Sequence, residues 1–262
     1  MLSELYPYVW NHYLDICTVG VRLLGIFLLA PAFNHRSIPA VIKIVLALSL
    51  SLALFPIVKP YLDPFPTDLF EILGLAIRET FIGLFLGLSA HLAVEAIHVA
   101  AQFIGFQMGF GVGGLMDPQM QSSVTVMVPL YGWVVLMLFF TLNLHHELIY
   151  LFVQSFRITK GIDGVFVENS QVMKIVLGMF GELFVTAVRM AAPFTLLALL
   201  SNLAVGVLNR LIPQMNVMLF SFPITILLGL LTFYLVAPEL IEFIENMISG
   251  ASEKTIVLLK AM

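Results

Sequence analysis

Residues 104–121 read IGFQMGFGVGGLMDPQMQ, and how this run is read decides the fold around it. It holds five glycines, three methionines, two phenylalanines and one formal charge within a very apolar chain. Gly105, Gly109 and Gly113 sit four apart, the spacing of a small-residue ridge that lets two helix backbones approach closely. Gly111 and Gly114 interrupt that ridge, and Asp117–Pro118 enforces a non-helical turn. The helix entering the run is therefore expected to end near Gly109, with an apolar loop continuing through GGLMDPQMQSS. Loop backbone in hydrocarbon leaves unpaired amides at several kcal/mol each, so such a loop belongs in protein, in a water-filled cavity or outside the membrane. Met108, Met116 and Met120 are flexible enough to fill irregular gaps and suit a soft seal.

The composition around this run is that of a membrane protein. Of 262 residues, 60% are hydrophobic and 11% charged, against about a quarter charged in soluble globular proteins, and the mean hydropathy is +1.03. A net charge of −4 offers no basic face for nucleic acid. The single cysteine, Cys17, cannot form an internal disulfide. The start, MLSELYPYVW, lacks a basic n-region, and Asp15 and Arg22 interrupt the apolar run behind it, so the first segment is expected in the mature protein.

Outward from the central run, apolar segments are expected at about 9–30, 40–58, 68–109, 124–144, 148–156, 172–208 and 215–248. The prolines of PIVKPYLDPFP are expected to end the second. Asp68, with Glu71 three residues on, marks the start of the third. At roughly 60 Å if straight, the third exceeds one bilayer crossing. The fold class expected is all-α: a helical membrane-type protein of long hairpins.

Charges within these segments need partners. Asp15 and Arg22, Glu71 and Arg78, and Glu182 and Arg189 are each an acid followed seven residues later by an arginine, on one helix face. A central charge facing lipid costs about 3 kcal/mol, so these faces are expected to meet protein or water. Asp15, Arg22, Arg78, Glu79, Glu182 and Arg189 are thus candidate subunit contacts. His91, Glu95 and His98 share a face and contain Glu-x-x-His, a spacing used in bundle metal sites, but no second such motif completes one. A hydrogen-bonded packing face is the expectation there, and no metal, cofactor or catalytic residue is assigned.

Three stretches carry a family resemblance: GFQMGFGVGGLMDPQMQ, LNLHHELIYLFVQSF and LALLSNLAVGVLNRLIPQMNVMLFSFPITILLG. In order and spacing the chain resembles the FliR family of type III export-gate membrane components, over residues 14–248. The resemblance implies a core subunit of the flagellar export gate at the bacterial inner membrane, in the flagellar basal body. It would assemble with FliP and FliQ, with FlhB and FlhA associated, into a helical stack held largely above the bilayer plane that passes unfolded substrates. Residues 1–160 would correspond to a FliP-like part and 161–262 to a FliQ-like hairpin with a freely varying tail. The loop would plug the closed pore, through Phe106, Met108, Gly109, Phe110, Gly111, Gly113, Gly114, Leu115, Met116, Asp117, Pro118 and Met120. Asn209, Arg210, Gln214 and Asn216, in the turn of the hairpin, would contact neighbouring subunits. A small-solute transporter or channel is the alternative, disfavoured by the lack of paired Gly/Pro-broken repeats, and a membrane metalloenzyme resting on His91, Glu95 and His98 is a third reading.

Overall fold

The computed structural model describes residues 12–31, 38–66, 68–109, 127–141, 143–159, 170–211 and 217–261. Among them the chain is helical: α1 (Tyr13–Leu29), α2 (Ala40–Val58), a 3₁₀ turn (Lys59–Tyr61), α3 (Leu69–Gln107), α4 (Met127–Thr141), α5 (Leu144–Thr159), α6 (Ser170–Leu211) and α7 (Val217–Ala261). Four helices are long and apolar enough to cross a membrane, or five if α4 and α5 form one broken span. The all-α membrane-type class expected from the sequence is the observed one.

The helix ends follow local chemistry, with one departure from expectation. α2 ends at Val58 as expected: Pro56 lies in its last turn, and the chain then tightens into the 3₁₀ turn at Lys59–Tyr61. A proline near a helix end forfeits only one backbone bond, so the helix stops only at Pro60 and the extended LDPFP. The departure is at the C-terminus. The final helix does not end near Ile248 but continues to Ala261, and the tail expected to vary freely is built into the protein. Thr255 and Leu259 are almost wholly buried, and Leu259 belongs to the main apolar core with Ile16, Val19, Ile26, Phe55 and Phe152. The Thr255 hydroxyl donates to Ser89 Oγ at 2.7 Å, while Ser89 donates its own proton to the Leu86 carbonyl.

Three helices outrun a bilayer. α3, α6 and α7 have 39, 42 and 45 residues, about 58, 63 and 68 Å if straight, against a hydrocarbon core of about 30 Å.

The chain forms two compact units, neither continuous in sequence: Met1–Ala93 with Asn143–Met179 and Ile248–Met262, and Val94–Leu142 with Phe180–Met247. Within the first unit, α1 and α3 run in the same direction at glycine-limited distance. A Cβ on Gly83 would overlap the Arg22 carbonyl oxygen, one on Gly25 would lie 2.8 Å from the Thr80 oxygen, and one on Gly87 2.8 Å from that of Ile26. Gly83 and Gly87, in GLFLG, are the four-apart pair that permits this contact.

Candidate functional site

Backbone approach at Gly83 delivers Arg22 of α1 to the interior of the first unit. The guanidinium is fully buried, and each of its three nitrogens has a partner. Nε donates to Glu79 Oε2 at 2.6 Å, Nη1 to Ser155 Oγ at 2.7 Å and Nη2 to Thr159 Oγ1 at 3.2 Å. Ser155 and Thr159 spend their own protons on the carbonyls of Phe152 and Ser155, which leaves lone pairs free to accept. The Phe156 ring lies 3.5 Å from the guanidinium carbon, a cation–π contact away from water. One side chain therefore ties α1 to α3 and α5.

Beside it, Arg78 Nη2 donates to the Thr159 carbonyl, the last of α5, at 2.9 Å. A cation there also meets the negative end of the helix dipole. Arg78 lies 3.6 Å from Asp63 Oδ2, and its Nε lies 3.7 Å from Glu79 Oε1. Asp15, Thr18, Tyr61, Asp63 and Phe65 line a small cleft over this cluster.

Arg22 was expected to meet protein or water, and it meets protein: it pairs with Glu79, on another helix. Arg22 and Glu79 depart from the subunit-contact expectation: both are buried inside the chain, because within one chain the glycine contact brings their charges together. Asp15 and Arg78 are half-buried at the cleft. Glu182 and Arg189 lie exposed on α6, among exposed Phe184, Val185 and Val188. Asn209 and Arg210 are exposed at its end. Gln214 and Asn216 lie outside the described residues.

In the second unit, α3 ends inside the opening glycine run. The Met108 amide donates to the Ile104 carbonyl at 2.9 Å, and Gly109 takes a φ of 85°, a left-handed helix end that glycine adopts without strain. Gln107 Nε2 donates to Thr195 Oγ1 of α6 at 2.7 Å. Met108 is buried with its side chain laid on Gly229 of α7, where an added Cβ would sit 2.5 Å from Met108 Cγ. Phe106 stays exposed. Two contacts thus fix the chain just before Gly109. Phe110, Gly111, Gly113, Gly114, Leu115, Met116, Asp117, Pro118 and Met120 lie outside the described residues.

The histidine face is a packing face with one local bond. His98 Nδ1 lies 3.3 Å from Glu95 Oε2, and His91 Nδ1 is buried with no hydrogen-bond partner. Among the described residues no three His, Cys, Asp or Glu side chains are grouped to hold a metal.

Comparison with known proteins gives one consistent result. The model for bacterial export proteins, family 1, matches residues 14–251. The flagellar biosynthetic protein FliR of Pectobacterium carotovorum subsp. carotovorum is 33% identical over 231 residues, covering 87% of this chain and 86% of that protein. The protein of that name in Escherichia coli (strain K12) is 31% identical over 229 residues, with the same two coverages. The one in Bacillus subtilis (strain 168) is 29% identical over 234 residues, covering 88% and 89%.

Proposed function

We infer the role of this chain from one premise: it belongs to the bacterial export proteins, family 1, and it is a membrane-embedded component of the flagellar export apparatus. We propose that it is a core wall subunit of the flagellar type III export gate in the inner membrane. With FliP and FliQ, and with FlhB and FlhA associated, it would form the pore that passes unfolded flagellar substrates. Residues 1–160 would take the FliP-like place in the wall and 161–262 the FliQ-like place. The part is structural; no side chain is assigned catalysis.

The observation that carries this reading is the exposed face of α6. Glu182 and Arg189 stand there among apolar side chains, on a helix about twice the length of a bilayer crossing. Hydrocarbon would penalise an exposed charge such as that of Arg189 by about 3 kcal/mol, whereas neighbouring protein can pair it. Such a helix is suited to a protein-walled stack that extends beyond the membrane plane.

The loop that begins at Gly109 would seal the closed pore, with Phe110, Met116 and Met120 as sealing side chains. Met108 would anchor it, since that side chain is buried against Gly229.

Affinity purification from membranes tests the assembly. Unlike subunits should elute with the tagged chain in one large complex, and recovery as a monomer or a homo-oligomer would overturn the reading. The seal is tested by deleting residues 106–121. The variant complex should assemble and conduct small ions across vesicles that the wild-type complex leaves tight. An assembled, tight deletion complex removes the plug role and leaves the wall role standing.

A further inference from the structure

α2 differs from the other long apolar helices in length, hydropathy and the character of its outward face. With the 3₁₀ turn it covers Ala40–Tyr61, 22 residues, which is one bilayer crossing. Its mean hydropathy is 2.5, against 1.7, 1.9 and 2.0 for the other three candidate spans. Ala47, Ser51, Phe55 and Val58 form its buried face.

The opposite face exposes Ile42, Val45, Leu52 and Ile57, with Leu48 at its border beside Gly20 of α1. Its one hydroxyl, that of Ser49, is spent on the Val45 carbonyl at 2.7 Å and so asks nothing of a neighbour. No charged residue lies between Lys43 and Lys59. Those two lysines are separated by about 24 Å of helix, close to the thickness of a core of about 30 Å, with Lys59 Nζ 2.8 Å from His12 Nε2 at one edge. At the other edge Lys43 can extend its ammonium group to headgroup phosphates.

We propose that this face of α2, from Val45 to Ile57, is a lipid-facing surface of the subunit in its assembled complex, in contact with acyl chains and not with neighbouring subunits. The α6 face with Glu182 and Arg189 is its counter-example, an apolar surface whose charges exclude it from hydrocarbon. The assignment does not depend on the identity of the neighbouring subunits or on the role of the loop.

Spin labelling in the assembled complex tests it. With Cys17→Ala as background, since Cys17 is exposed, single nitroxides are placed through Val45→Cys on α2 and Val185→Cys on α6. The complex is reconstituted into vesicles of phosphatidylethanolamine and phosphatidylglycerol. Collisions with molecular oxygen, which partitions into acyl chains, are compared with those of a water-soluble nickel chelate. The label at position 45 should be mobile and relaxed several-fold more by oxygen than by nickel, and the label at 185 shielded from both. Shielding from both reagents at 45 would mean that protein covers α2, and preferential nickel access would mean that water does. Either result overturns the proposal. If Val45→Cys fails to assemble, Leu52→Cys places the label on the same face two turns on, with the same criteria.

Discussion

Replacing Arg22 with methionine leaves the Glu79 carboxylate buried without its main partner. Breaking a buried ion pair from one side is destabilising by about 3–5 kcal/mol, most of it the burial of the abandoned charge. Arg22→Met should therefore lower the thermal midpoint of the detergent-purified complex strongly. Adding Glu79→Leu should recover much of the loss, because an apolar pair of similar volume leaves no charge stranded. If the double variant is no better than the single one, the ion pair does not carry the contact between α1 and α3. The existence of a charge problem was legible in the sequence, since an arginine and glutamates inside apolar runs stand out by composition. Its solution was not legible. Arg22 and Glu79 are 57 residues apart, and no local spacing joins them. Ser155 and Thr159, four apart on one face of α5, read as ordinary helix hydroxyls until the guanidinium is seen between them.

At the scale of the helix, most of the architecture was legible because apolar runs bounded by polar and proline-rich breaks have few other readings. The closest crossing was not. GLFLG, where Gly83 and Gly87 admit α1, has the composition of ordinary apolar helix, whereas the glycines of the central run stand out. Gly83→Val should prevent this approach and abolish recovery of the assembled complex. Gly178→Ala makes the matched control. An added Cβ there meets nothing within 4 Å, and the helix should gain about 1 kcal/mol from the better helix former. Loss of assembly in both would place the defect in general helix sensitivity instead of in the crossing. At the other end of the chain, Leu259→Ala should destabilise by about 2–5 kcal/mol, as for other fully buried leucines. Limited proteolysis should show the effect as faster cleavage in the first unit, and unchanged cleavage would mean that the tail is dispensable. The four-residue step from Thr255 to Leu259 was the available signal, weak because Glu253, Lys254 and Lys260 leave only a short apolar run there.

For the whole molecule, a long list of exposed apolar side chains is matched by few exposed charges within the helices, and those charges sort the surface. Glu182→Lys should reduce the unlike subunits recovered with the chain several-fold while its own level in the membrane fraction stays unchanged. A parallel fall in both would indicate misfolding, and unchanged recovery would remove the α6 face from the interface.

The first unit is assembled from three distant stretches, the last of them Ile248–Met262. Its core joins Leu259 to Ile16, Ile82 and Phe152, so that core can close only after all the stretches between them have been made. Early segments must wait in the membrane with Ser89 lacking its Thr255 partner, exposed to proteases and chaperones until the 248–262 stretch arrives. A nascent chain stalled before Leu259 would therefore be a substrate for quality control rather than a usable building block, which makes late synthesis of this stretch a checkpoint for incorporation.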